Sequence, residues 1–294
     1  MIRAWVAAAL FAAAFTAVAQ IAERPPFALL GDVPYSEANA NLLDSMIDEI
    51  NAEKPAFVVH LGDITGRDCS NAWLEARQKQ FARFAAPFVL VVGDNEWTDC
   101  HITGHDPMER LAKVRALFHS GTVRLPAFAR QWDRYPEHVR WIHSGALFVG
   151  LNVPGSNNNL GRTKAMDAEH AARMKAVFEW LDEAVAIVRA SNEIESMIVM
   201  MQANPNFEER IRLSVASDGY AGLREKLAAI SNALGKPLAV AHGDSHIYKF
   251  DKPSKSAPGL WRVEVDGWPW MGWVKARTTP VPAKPVAAER RLHN

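Results

Sequence analysis

Four apolar runs in this chain end in the same way, with a glycine followed by an aspartate: Gly31-Asp32, Gly62-Asp63, Gly93-Asp94 and Gly243-Asp244. The runs are Phe27 to Leu30, Ala56 to Leu61, Phe88 to Val92 and Leu238 to Ala241, short and continuous as strands buried on both faces are. Two more, Ala146 to Leu151 and Met197 to Met201, read the same way. In an α/β sheet the carboxyl ends of the strands line one crevice, so the four loops are expected to converge. Glycine lets each loop turn sharply and bring its carboxylate inward. A simple turn explains any one Gly-Asp pair, but not four at strand ends. Carboxylates so gathered either take up protons or are compensated by a cation.

Segments of helical period separate the strands. Leu42, Leu43, Met46, Ile47 and Ile50 form one apolar face, with Ser36 as N-cap and Pro55 as stop signal. Further helices are expected at Asn71 to Phe84, Met108 to His119, Ala168 to Arg189 and Gly222 to Leu234. The alternation predicts an α/β layer fold with partly parallel strands. Leu125 to His143 reads as an irregular surface excursion. Trp261 to Val265 and Trp268 to Lys275 read as an antiparallel hairpin turning at Asp266-Gly267. Of the tryptophans there, 261, 268, 270 and 273, filling space under a sheet edge is favoured over a sugar-stacking platform.

The expected organisation is a signal peptide over 1–19, one domain over 20–277 and a flexible tail over 278–294. Arg3, the apolar stretch Ala4 to Thr16 and Ala17-Val18-Ala19 give the first its charged region, core and cleavage site, and predict a periplasmic or extracellular protein. No later run is long enough to anchor it in a membrane after cleavage. Lys plus Arg and Asp plus Glu balance at 33 each, which argues against a nucleic-acid partner. The only cysteines, Cys69 and Cys100, each lie six residues past a Gly-Asp aspartate, and in an oxidising compartment they are expected to form one disulfide.

The loops in order, Asp32-Val33-Pro34, Gly62-Asp63 with Gly66, Gly93-Asp94-Asn95-Glu96 and His242-Gly243-Asp244-Ser245-His246, make the chain resemble the calcineurin-like metallophosphoesterases over roughly Phe27 to Lys275. That family's motifs run D-x-H, G-D-x-x-D, G-N-H-E or G-N-H-D, a lone His and G-H-x-H. The resemblance implies a four-layer αββα sandwich of two packed mixed β-sheets flanked by helices, and a two-metal centre at the strand ends. Residue by residue it is partial. Asp32, Asp63, Glu96 and His246 match, while Pro34 replaces a ligand histidine, Gly66 the second aspartate and Asn95 the catalytic histidine. Asp94 stands in the asparagine position, Gln202 where the lone histidine falls and Asp244 for the first histidine of the last motif.

The implied metal set is therefore Asp32, Asp63, Asp94, Asp244, His246 and Gln202. Its hard oxygen donors favour one or two ions of Mn, Mg or Ca over Zn or Fe. Asn95 and His101 stand as catalytic candidates, with Arg67 and Lys249 as weaker candidates for holding a phosphate. Two functions remain open. The leading one is metal-dependent hydrolysis of a small-molecule or surface phosphoester by a metal-bound hydroxide. The alternative is an inactive protein of the same fold that binds a ligand or partner, and the missing histidines motivate it.

Overall fold

The computed structural model describes residues 24–131, 134–208, 217–280 and 283–293. The expected signal segment, residues 1–19, lies outside them.

Strands β1 (Phe27–Leu30), β2 (Val58–His60) and β3 (Phe88–Leu90) pair in parallel, joined by helices α1 (Glu37–Ala52) and α2 (Asn71–Phe81). Ser36 caps α1 by accepting from the Asn39 N–H, and Leu43, Met46, Ile47 and Ile50 are its buried face. After β3 come a 3-10 turn, Thr98–Thr103, and α3 (Pro107–Phe118), capped by Asp106. The second sheet contains β4 (Ala129–Gln131), β5 (Tyr135–His143) and β6 (Ala146–Gly150). A tight turn, α4 (Gly155–Asn158), leads into the long α5 (Lys164–Ala190), then β7 (Ser196–Met200), α6 (Ala221–Ala233) and β8 (Leu238–His242). The short β9 (Lys249–Asp251) and β10 (Leu260–Glu264) complete that sheet, and β11 (Gly272–Thr278) and β12 (Val286–Leu292) complete the first.

The strand orders are β12-β11-β1-β2-β3 and β4-β5-β6-β7-β8-β10-β9. Between the sheets Phe27, Phe57, Trp141, Phe148 and Val263 form one apolar layer. A second seals α1, α2 and α3 to the first sheet, and a third seals α5 and α6 to the other. The result is the four-layer αββα sandwich of two mixed sheets. Alternate residues of the inner strands serve different layers, so Phe27 and Leu29 face the sheet interface while Ala28 and Leu30 face the helices.

Three expectations are corrected. Residues 125–143 hold two strands; their signal is masked because β5 carries Glu137 and His138 fully inside, Glu137 being held by both ends of the Arg115 guanidinium (2.8 and 2.6 Å). The C-terminal hairpin does not form. Strand β10 pairs in parallel with β8 in one sheet, whereas β11 pairs antiparallel with β1 in the other. Alternation marks each strand but says nothing of its partner. Nor is the segment from 278 a flexible tail: Val286–Leu292 pairs with β11 along its whole length. Its charges suit an edge strand with one wet face, Arg290 bonding Asp266 (2.8 and 2.7 Å) and Arg291 approaching Glu53 (3.7 Å). Among the tryptophans, Trp273 is buried and Trp261 half-buried against Phe250, but Trp268 and Trp270 are exposed.

Candidate functional site

Parallel pairing of β1, β2 and β3 brings Asp32, Asp63 and Asp94 to one end of the first sheet, and β7 and β8 bring Gln202, Asp244 and His246 to the same end of the second. The two sets meet where the Asp244 N–H donates to both oxygens of Asp32 (3.1 and 3.0 Å), and within the second set the Gly243 N–H donates to the Gln202 carbonyl (3.0 Å). Asp32, Asp63, Asp244 and His246 all have positive φ, between 54° and 74°. Left-handed backbone at side chains other than glycine costs energy and collects where a site needs its groups aimed. Gly93 meets the same crowding, since a Cβ there would overlap the Asp63 carboxylate and amide nitrogen. Gly93→Ala is expected to destabilise the protein by about 1–3 kcal/mol in urea unfolding.

Each acid is engaged by the protein itself. Asp63 accepts from the Asn95 N–H (3.2 Å) and the Tyr35 hydroxyl (3.1 Å). Asp244 accepts from the Asn204 N–H (2.9 Å). Ser156 reaches both Asp94 and Asp99, at 2.7 Å each. Glu96 is fully buried and accepts from the Gly93 and Ile64 N–H groups (2.6 and 3.3 Å). Gly155 has no side chain where one would stand 2.7–2.8 Å from Asp94 and Asp244 oxygens.

Burial, reinforced by the neighbouring charge of Asp244, raises Asp32 well above the carboxylate range, and burial with the Asp94 charge does the same to Asp63. Asp94 is raised by burial and then by Asp99; Asp244 is pushed up to about 7, chiefly by burial and then by Asp94. Burial and mutual repulsion thus favour the protonated form of each acid. Hydrogen-bond bookkeeping agrees: one Ser156 hydroxyl proton cannot serve two ionised carboxylates, so a proton on Asp94 completes the arrangement. Asp94 Oδ1 finds no hydrogen-bond partner among the described residues.

Tyr35 was not singled out from the sequence, yet it decides the geometry. His246 Nδ1 donates to the Trp268 carbonyl (2.6 Å), which aims Nε2 inward, 3.1 Å from the Tyr35 oxygen and 3.8 Å from Asp32. The phenol, kept protonated chiefly by burial, thus sits between the two side chains that match the family's G-D-x-x-D aspartate and last histidine. Gly66 makes room for it, since a Cβ there would stand 2.7 Å from the Tyr35 carbonyl. Pro34, whose side chain has no ligand atom, precedes it directly.

The remaining candidates fall elsewhere. Asn95 borders a cavity of about 510 Å³ over Tyr35. His101 faces a different cavity and accepts from Arg162 Nη1 (2.6 Å). Lys249 is committed to Glu264 (2.5 Å). Cys69 and Cys100 form a disulfide whose sulfurs lie against the Asn95 carbonyl (3.5 and 3.3 Å), tying the loops after β2 and β3 together. Ser156, Asn204 and Asp99 also join the site unannounced by any motif.

A family model described as calcineurin-like phosphoesterase matches residues 25–248, which is most of the chain. The chain belongs to the calcineurin-like metallophosphoesterase superfamily. No curated protein matches it. Among solved structures, this phosphoesterase-family chain is similar to a dimetal phosphatase from Danio rerio (12% identity, TM-score 0.57, covering 92% of this chain and 97% of that one). It is also similar to a purple acid phosphatase from yellow lupin seeds (13%, 0.55, 92% and 51%) and a 5'-nucleotidase from Candida albicans (12%, 0.51, 92% and 52%). The chain spans about half the length of the last two, and identities this low carry the fold alone. A two-ion centre does not fit this phosphoesterase-family member's own donors. Its one matching imidazole is bonded to Tyr35, and among the described residues no group of three or more His, Cys, Asp and Glu side chains could hold a metal ion.

Proposed function

We propose that this chain is a non-hydrolytic member of its superfamily, which keeps the sandwich and uses the crevice at the strand ends to bind a ligand, outside the cytoplasm. One observation carries the reading: the Tyr35 hydroxyl lies 3.1 Å from both Asp63 Oδ2 and His246 Nε2, so a phenol links two side chains that the resemblance assigns to a metal. Two features support it. Asn95 offers a neutral amide where the family has the imidazole that assists the leaving group. Raised carboxyl pKa values let the acids donate hydrogen bonds as well as accept them. The signal-like sequence of residues 1–19 and the disulfide support the location.

A second reading, metal-dependent phosphoester hydrolysis, is favoured by the unpartnered Asp94 Oδ1, which a cation would also satisfy. An assay separates the two. With aryl phosphate mono- and diesters and Mn, Mg, Ca, Zn or Fe supplied in turn, the purified protein is expected to release product no faster than Asp63→Ala. Turnover that Asp63→Ala abolishes would sink the non-hydrolytic reading.

A further inference from the structure

Of the four tryptophans that follow β9, two are committed within the protein. Trp261 donates its indole N–H to the Ala283 carbonyl (2.8 Å) and Trp273 donates to Glu49 (3.1 Å). Trp268 and Trp270, 44% and 58% exposed, make no side-chain hydrogen bond and no ring contact among the described residues. Ile247, 59% exposed, joins them from the loop after β8: it follows His246, whose ring packs on Gly267 and bonds the Trp268 carbonyl (2.6 Å). The backbone beneath this tip is fixed. The Trp268 N–H donates to the Asp32 carbonyl (3.1 Å), the Trp270 N–H to the Gly267 carbonyl (2.9 Å), and Asp266 is clamped by Arg290 (2.8 and 2.7 Å). Large apolar side chains held in water on a fixed turn, and clustered, mark a contact surface.

Area and charge select the partner. Three such side chains present roughly 300–400 Å² of apolar surface, about half or less of the ~800 Å² that each partner gives to a stable protein interface. A second copy or another protein would therefore need contacts beyond the tip. The charged side chains flanking it are already paired, Asp266 with Arg290 and Lys249 with Glu264, so no free charge draws in an ion. A bilayer that took up the tip would also strip water from the Arg290 pair, whose guanidinium side is 40% exposed. These properties fit a neutral ligand with an apolar face and a polar edge.

We propose that the Trp268–Trp270 tip binds a neutral carbohydrate, one pyranose stacking its C–H face on an indole while ring hydroxyls accept from the uncommitted indole N–H groups. The tip stands beside the crevice, and the proposal holds whether or not the crevice hydrolyses anything.

Calorimetric titration with cellotetraose and chitotetraose, followed in parallel by tryptophan emission, tests this. At least one of the two is expected to bind saturably and to change the emission. Trp268→Ala and Trp270→Ala are each expected to weaken that binding about 10-fold or more, given the apolar area each indole exposes, and to leave the melting temperature unchanged because neither side chain is packed. Failure of both oligosaccharides to bind, or binding undiminished in protein carrying both substitutions, overturns the proposal. Co-sedimentation with phosphatidylcholine vesicles, or self-association in sedimentation equilibrium, that the double substitution abolishes while neither oligosaccharide binds would assign the tip to a lipid surface or to a second copy and overturn it equally.

Discussion

After treatment with chelator, the stability of the protein relative to Asp244→Asn is expected to fall by about 4 kcal/mol as pH rises from about 4 to about 7. An aspartate in the unfolded chain titrates near 4, while folded Asp244 is pushed up to about 7 and burial raises Asp32 and Asp63 as well. Between those values the folded protein holds protons the unfolded chain has released, so stability falls with rising pH until each folded pKa is passed. Each such acid costs up to about 1.4 kcal/mol per pH unit, and Asp244 alone about 4 kcal/mol in full. Below 6.5 the trend is opposed. Buried His60, His119, His138 and His242 are held neutral, with pKa values of about 4, 3, 4 and 3, so unfolding there takes up protons and stability rises with pH up to the ordinary imidazole value. Parent and Asp244→Asn share that opposing trend, so the difference between their melts isolates the aspartate. A difference that stays constant from about pH 4 to about pH 7 would mean that Asp244 is ionised and compensated, contrary to the arrangement described.

Replacing both cysteines by serine is expected to cost about 3–4 kcal/mol in urea unfolding. The bond closes a loop with a sequence separation of 31, and the entropy it removes from the unfolded chain accounts for most of that figure. The loss should be accompanied by a local change, because the bridge ties the turn after β3 to the loop after β2 and its sulfurs back the Asn95 carbonyl. Hydrogen exchange at Asn95 and at residues 98–103 reads this directly; exchange there unaffected by the substitutions would show that the loops hold their shape without the bridge.

Much of the fold is written in local pattern. Strand β1 falls on Phe27–Leu30 as its apolar run predicts, and α1 starts at Ser36 because a serine oxygen is placed to take the Asn39 N–H. The Gly-Asp repeats point to the correct sheet end because a strand end is a local feature and parallel pairing then aligns them. What escapes the sequence depends on partners far along the chain. Strands β10 and β11 alternate like a hairpin but belong to different sheets, and β12 reads as tail until β11 is there to pair with it. Inside the site the same limit applies. Asp32 and Asp63 can be found by motif, whereas Tyr35 and Ser156 matter only because left-handed backbone and the absent side chains of Gly66 and Gly155 let their hydroxyls reach the acids. Sequence reading assigns the acids a metal because it counts carboxylates; the hydroxyls that engage them come from positions no motif includes.

Those hydroxyls make the central claim measurable. Elemental analysis of the protein purified without chelators, beside Asp63→Ala, reports whether protons or ions compensate the acids. The account predicts well under one equivalent of Mn, Mg, Ca, Zn or Fe in both proteins. One or two equivalents in the parent that vanish in Asp63→Ala would contradict it, and would make Tyr35 a group that an ion displaces.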